Sequence, residues 1–383
     1  MDFDLSEEQR LLKDSVERLL TDRYDFEARK RYMSDPSGYS RELWKQYAEL
    51  GLLGLPFEER HGGFGGGPTE MMIVMEAFGR ALALEPFLAT VALGGGALKL
   101  GGSEAQKSAL LPKVADGSLT LALAHTEPQS RYDLADVATS ARKDGAGYVL
   151  DGKKSVVLHG DSADRLLVSA RVSGAQRDRN GIGLFLVDAK AEGVSRRGYP
   201  TNDGLRAAEI SLANVRVGAD AAIGEPGKAL PLIEQVIDRA IAALAAEAVG
   251  ALAAMHEVTV EYVRTRKQFG VPIGSFQVLQ HRAVDMLIAV EEARSMAMLA
   301  TMMAEEPNAV ERQKAISAAK AQIGRSARVV GQGAIQLHGG NGMTMEYKVG
   351  HYFKRVTMID KIFGDADHHL ALLARSGGLI AAN

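Results

Sequence analysis

The spacing of apolar residues changes period twice along this 383-residue chain, which restricts it to a helical, then β, then helical layout. Up to about residue 120 the spacing is helical. Ser6-x-x-Gln9 forms a capping box ahead of Leu11, Leu12, Val16 and Leu19. A second helix near 41–50 stops at Gly51, Thr69 is placed to cap the next, and Ser103-x-x-Gln106 opens a helix that Pro112 shortens. From Leu121 the pattern becomes short strands: Leu121-Ala-Leu-Ala124, Tyr148-Val-Leu150, Ser155-Val-Val-Leu158, Arg165-Leu-Leu-Val168, Gly183-Leu-Phe-Leu-Val187 and Glu209-Ile-Ser-Leu212. Asp144-Gly145, Asp151-Gly152 and Asn180-Gly181 read as turns between several of them. From about Pro226 helical spacing returns in long runs at 231–266, 275–303, 308–338 and 345–377. The expected fold is α+β and multidomain: an N-terminal helical domain (1–120), a middle antiparallel β-barrel (121–222) and a C-terminal four-helix bundle (223–383).

Composition removes several function classes. A net charge of −3 without a long basic run gives no footprint for nucleic acid. The absence of cysteine excludes disulfides and thiolate metal sites and is compatible with a reducing cytoplasm, the expected location. The acidic start, MDFDLSEEQR, lacks the features of a signal peptide. The most apolar long run, 232–255, carries Glu234, Asp238, Arg239 and Glu247, so it reads as a buried bundle helix and not a membrane span. The histidines are scattered, and the adjacent His368 and His369 diverge by about 100° on a helix, so no metal constellation forms. The cluster Gly62, Gly63, Gly65, Gly66, Gly67 follows no strand and matches neither phosphate-binding fingerprint; it reads as a turn.

The stretch 262–286 carries the strongest signal. A long helix ends in a run containing Arg264, Arg266 and Lys267, breaks at Gly270, Pro272 and Gly274, and restarts with Ser275 placed as a cap. On the residues alone, the three cations offset the negative end of the helix dipole. Arg266-x-x-Phe269-Gly270, a short loop, then Phe276-Gln277 resembles the pattern by which the acyl-CoA dehydrogenase family holds the ADP half of FAD. A second block, Gln336-Leu-His-Gly-Gly-Asn-Gly-Met343, resembles the family in the same order, and the likeness runs from Phe3-Asp-Leu-Ser-Glu-Glu-Gln9 to the C-terminus.

The resemblance implies FAD as cofactor, an acyl-CoA substrate, a homo- or hetero-tetramer and an electron-transfer flavoprotein as acceptor. FAD would be bound by Thr126, Arg266, Phe269, Gln277, Gln336, Gly339 and Gly340. The reaction needs a carboxylate base for the α-proton, donors for the thioester oxygen and a stacked flavin. Here the chain departs from the pattern. The usual base position is occupied by Phe363, in Ile362-Phe363-Gly364-Asp365, although the N–H at 363 could still serve the thioester oxygen. The alternative seat on the preceding helix is Ala240. Asp238 lies about 200° around that helix and reads as structural, whereas Glu247 returns to within about 20° of the Ala240 stripe, roughly 10 Å along the axis. Glu247 is therefore the candidate base, with a buried structural pair as the competing reading. On the flavin side, Tyr132 replaces the serine that meets CoA, Val156-Val157-Leu158 replaces Trp-Ile-Thr, and Asp365 replaces a threonine beside the cofactor. Arg131 stands near the expected CoA entrance.

In the family each FAD lies between subunits. This chain keeps what it would lend to a neighbour and departs where its own ring would sit. The resemblance therefore implies a non-identical partner, a second acyl-CoA dehydrogenase-like subunit. The ending Phe363-Gly-Asp-Ala-Asp-His-His369 resembles the small subunits of pimeloyl-CoA dehydrogenases. A flavin-dependent monooxygenase on the same scaffold, a non-catalytic structural subunit and a homotetramer using Glu247 are the alternatives.

Overall fold

The structure, a computed structural model, describes residues 4–377. Phe3, where the likeness begins, and residues 378–383 of the expected last domain lie outside the described residues. Helices α1 (Glu7–Arg23), α2 (Phe26–Met33), α3 (Arg41–Glu49) and α4 (Pro68–Ala81) come first; a π-helical segment, Leu88–Gly95, then leads into α5 (Gly96–Gly101) and α6 (Glu104–Ala115). Strands β1 (Leu121–Ala124), β2 (Ser140–Asp144), β3 (Gly147–Leu158), β4 (Arg165–Arg171), β5 (Ile182–Asp188), β6 (Val194–Pro200) and β7 (Arg206–Val217) follow. After α7 (Leu230–Thr265), the short strands β8 (Lys267–Gln268) and β9 (Val271–Pro272) form a hairpin. The chain finishes with α8 (Gln277–Met303), α9 (Ala309–His338), α10 (Lys348–Lys361) and α11 (Ala366–Arg375). Helical regions thus flank a middle sheet, as expected. Among the described residues no helix is long and apolar enough to cross a membrane.

Local signals are realised in part. Both capping boxes form: Ser6 Oγ accepts the Gln9 N–H at 3.2 Å and Gln9 Oε1 the Ser6 N–H at 3.0 Å, and Ser103 with Gln106 repeats the exchange. Pro112 does not shorten α6, which runs on to Ala115; its missing N–H costs a single bond, and left-handed Gly117 (φ +77°) marks the end. Thr69 is no cap, because α4 begins at Pro68, whose fixed φ suits a first helical position. Ser275 is no cap either: its hydroxyl donates to the Pro272 carbonyl at 2.7 Å, within the 3-10 turn Ile273–Ser275.

The chain divides into two compact units assembled from separated stretches: Met1–Arg31, Pro68–Ala83 and Ile241–Asn383 in one, Tyr32–Gly67 and Leu84–Ala240 in the other. The second contains the sheet, ordered β1-β4-β2-β3-β7-β6 with β5 also paired to β4. The sheet is mixed, not purely antiparallel: β1 runs parallel to β4 with Leu121 opposite Arg165. Among the described residues no pairing joins β5 to β6, so the expected barrel does not close. Asp151-Gly152 is a bulge inside β3, not a turn. The register against β7 shifts there, Gly152 has φ +154°, and a Cβ on it would lie 2.5 Å from Thr139 Oγ1. The two strands read at 148–150 and 155–158 are therefore one. Strands β2 and β6 escape a reading by alternation because β2 buries only Ala141 and β6 buries nothing. One apolar core, including Leu150, Leu166, Val168, Phe185, Ile210 and Val215, sits against the sheet.

In the first unit α9 is central, with α8, α10 and α11 packed on it. Small residues let α4 and α7 touch backbone to backbone: a Cβ on Gly79 would fall 1.9 Å from the Glu247 carbonyl oxygen, and one on Gly250 1.9 Å from that of Glu76. The last helical run, expected as one helix over 345–377, is two. It breaks between α10 and α11, where Phe363 (φ +61°) and Gly364 (φ +111°) are both left-handed.

Candidate functional site

Five of the expected nucleotide-holding residues gather around the ends of α7 and α9 in the first unit. Arg266 leaves α7 with its N–H bonded to the Tyr262 carbonyl at 2.8 Å, and its own carbonyl accepts from Ile273 at 2.8 Å, which closes the β8–β9 hairpin. At the tip Phe269 takes φ +53° and is 92% exposed, edge-on to Phe276 at 6.2 Å between centroids. One turn before Arg266, Tyr262 stacks on His338 at 4.4 Å, and its hydroxyl accepts from Asn341 Nδ2 at 3.2 Å. That contact ties the hairpin to the turn carrying Gly339 and Gly340. Gly339 (φ +56°) ends α9, and a Cβ built on either glycine meets nothing within 4 Å. Gln336 is exposed just upstream. Gln277, the sixth, is exposed as the first residue of α8. Among the described residues no carboxylate pairs with Arg266. The arrangement is a cationic, open-backboned surface suited to a phosphate.

Residues 362–365 make the turn between α10 and α11. Phe363 carries no titratable group. Gly364 is buried, its carbonyl accepts from Lys320 Nζ at 2.6 Å, and its N–H finds no acceptor among the described residues. Asp365 is not loose: Oδ1 caps α11 through the His368 N–H at 3.0 Å, and Oδ2 meets Lys361 Nζ at 3.1 Å. The His368 N–H and then Lys361 hold its carboxyl below the usual range.

Glu247 lies on α7, 4% exposed, gripped by Arg355 of α10: Nε to Oε1 at 2.5 Å and Nη2 to Oε2 at 2.7 Å. Both carboxylate oxygens are engaged. This is the geometry of the competing structural reading, and the sequence offered no signal for it, because Arg355 is 108 residues away.

Thr126 follows β1 in the second unit. Its hydroxyl bonds His125 Nε2 at 3.1 Å and its carbonyl accepts from Ser155 at 2.9 Å. Next to it, buried Glu127 accepts from Lys154 Nζ at 2.7 Å and from the N–H groups of Ala138 (2.8 Å) and Thr139 (3.1 Å), while Lys154 also donates to Ser169 Oγ. Burial lowers Lys154 to about 8 despite Glu127, and burial with the nearby ammonium brings His125 to about 4. This buried pair anchors the segment holding Thr126, Arg131 and Tyr132. Val156, in the place of the family tryptophan, is left-handed (φ +51°) and exposed. Beside it Glu209 accepts from Ser155 Oγ at 2.6 Å and Tyr199 Oη at 2.8 Å.

Sequence reasoning missed Lys320 and His369. Lys320 is 0% exposed on the buried stripe of α9 that includes Ile316, Ile323 and Ala327; a lone charge in an apolar stripe is the signal that would have found it.

Comparison with known proteins gives three consecutive matches: "Acyl-CoA dehydrogenase, N-terminal domain" over residues 6–118, "middle domain" over 122–215 and "C-terminal domain" over 230–378. Acyl-CoA dehydrogenase FadE12 of Mycobacterium tuberculosis is 34% identical over 319 residues, 81% of each chain. Among solved structures, the Tcur3481-Tcur3483 steroid ACAD is 31% identical with a TM-score of 0.87, covering 97% of both chains. The ChsE4-ChsE5 complex from Mycobacterium tuberculosis is 26% identical with a TM-score of 0.87, covering 98% of both. The FAD complex of PigA is 26% identical with a TM-score of 0.89, again covering 98% of both.

Proposed function

The chain belongs to the acyl-CoA dehydrogenase family of oxidoreductases, and from that premise we propose that it is one subunit of a hetero-oligomeric, FAD-dependent enzyme that desaturates an acyl-CoA thioester between Cα and Cβ. In this reading the chain completes the FAD site of a non-identical subunit, and its own pocket is reduced. The observation that carries it is a contrast. The nucleotide-holding surface around Arg266, Phe269, Gly339 and Gly340 is open and unpaired, whereas no free carboxylate stands at Phe363 or Ala240 and Glu247 is spent on Arg355.

The residues present fit the ADP end of FAD. Arg266 offers a charged donor to a phosphate, the two glycines leave backbone accessible, and Gln277 and Gln336 add amide donors. When bound, FAD accepts the hydride that leaves Cβ. The N–H of Gly364, one residue beyond the expected Phe363 and without an acceptor among the described residues, is the donor this chain offers to a thioester oxygen. Glu247 serves as the buried counter-ion of Arg355, and the base that takes the α-proton belongs to the partner. Thr126 serves the flavin side. The partner is a second acyl-CoA dehydrogenase-like subunit, a reading supported by the likeness to a two-component assembly, the ChsE4-ChsE5 complex, and the acceptor is an electron-transfer flavoprotein. The small-subunit reading includes that of pimeloyl-CoA dehydrogenases, domain limits at 1–120, 121–222 and 223–383, and a cytoplasmic location consistent with the lack of cysteine.

The test is to purify the chain with and without the product of the neighbouring gene, then measure FAD per subunit and turnover on a panel of acyl-CoAs. The reading expects a flavin-poor, inactive chain alone and an active flavoprotein with its partner. A fully flavinylated homo-oligomer with high turnover would refute it.

A further inference from the structure

We propose that Lys320 and His369 are positioning residues that lock the turn 362–365 in the conformation leaving the Gly364 N–H free for a ligand oxygen. This inference rests on the thioester-binding reading above. Two adjacent left-handed residues, one of them a phenylalanine, form a strained turn that relaxes unless its surroundings hold it.

Two buried groups hold it, both through carbonyls. Lys320 Nζ donates to Asp360 O at 2.8 Å and to Gly364 O at 2.6 Å. His369 Nε2 lies 3.1 Å from Phe363 O. A carbonyl only accepts, so Nε2 carries the hydrogen, and Nδ1 then accepts from the Ser317 hydroxyl at 3.1 Å. Burial and the neighbouring Lys320 push His369 down to about 3, which keeps it neutral in this single tautomer. With the carbonyls of 363 and 364 fixed by protein donors, the N–H of Gly364 is left without an acceptor among the described residues in a buried place, which is costly unless something else fills it. A Cβ at 364 would fall 2.5 Å from the His368 ring and 2.8 Å from the His369 ring, so the turn admits only glycine there.

The competing account makes Lys320 a plain C-cap of α10. A cap does not require full burial, and it explains only the bond to Asp360. The shorter bond reaches past the helix end to Gly364. Burying an amine without a carboxylate in hydrogen-bonding reach costs stability, so an apolar side chain would serve packing better.

The experiment is hydrogen–deuterium exchange on the full chain assembled with its partner and FAD, following peptides that span 362–369 and therefore report on this chain alone. In wild type, saturating butyryl-CoA or octanoyl-CoA slows exchange of that segment. In Lys320→Met the segment exchanges at least tenfold faster and acyl-CoA no longer slows it, while flavin content and exchange of α8 stay as in wild type. Lys320→Arg, which keeps two donors, recovers the protection. His369→Gln gives the same loosening should Lys320→Met fold poorly. Wild-type exchange of 362–369 in Lys320→Met and His369→Gln would overturn the proposal. Loosening in the variants together with no acyl-CoA protection in wild type would uphold the lock and overturn the thioester reading instead.

Discussion

The Arg355 guanidinium meets Glu247 edge to edge, with two parallel hydrogen bonds of 2.5 and 2.7 Å between side chains that are both almost wholly buried. Each member of the pair neutralises the other's buried charge, so removing one strands the other. Glu247→Gln is expected to cost about 3–5 kcal/mol of stability, read by chemical denaturation. Glu247→Leu combined with Arg355→Met should recover most of that, since the pair is removed together. Should Glu247→Gln keep wild-type stability yet abolish α-proton exchange of bound acyl-CoA, Glu247 would be the base after all.

Arg266→Ala should lower the flavin retained by the assembled oligomer by roughly tenfold or more, the worth of a charge-assisted bond to phosphate. Absorbance per protomer after gel filtration reports it. Unchanged occupancy would remove Arg266 from the cofactor site.

Gly79→Ala should destabilise by about 1–3 kcal/mol or more, because its Cβ would collide with backbone, which cannot swing aside as a side chain can. Gly96→Ala is the control. Its Cβ meets nothing within 4 Å in a helical residue, so a gain of about 0.5–1 kcal/mol is expected. Thermal midpoints that move the same way in both variants would contradict this.

Acid should weaken the fold through buried neutral histidines. His369 falls from 6.5 to about 3 and His125 to about 4, each chiefly through burial. A base whose folded pKa is depressed contributes stability that is complete above its unfolded pKa and is lost as pH falls below it. The window therefore runs from about pH 6.5 downward. At pH 5 the loss from His369 amounts to about 2 kcal/mol. Denaturation curves at pH 7 and pH 5 should show a smaller difference in His369→Gln than in wild type. Equal differences would mean that His369 is not a buried neutral base.

Much of the architecture was legible because it rests on short-range chemistry. The capping boxes at Ser6 and Ser103 involve partners three residues apart, and the long helices declare themselves through spacing that no neighbour needs to supply. The local form of the segment 262–277 was legible for the same reason: the end of a helix and the break after it are each local. Strands β2 and β6 were not, since their polar residues acquire strand geometry only from the partners beside them. Asp151-Gly152 has the composition of a turn and becomes a bulge because β7 continues to pair across it.

By itself, then, the sequence determined the helical, β, helical order, most of the long helices and the likeness to the acyl-CoA dehydrogenases. The tertiary structure decided what the charged and strained groups do. Glu247 became half of an ion pair through an arginine 108 residues away, and the break at Phe363 is held by a lysine 44 residues from the Gly364 carbonyl it binds. A buried charge or a left-handed phenylalanine persists only where distant parts of the chain supply its counter-charge or its hydrogen bonds, and no local pattern records where those will come from.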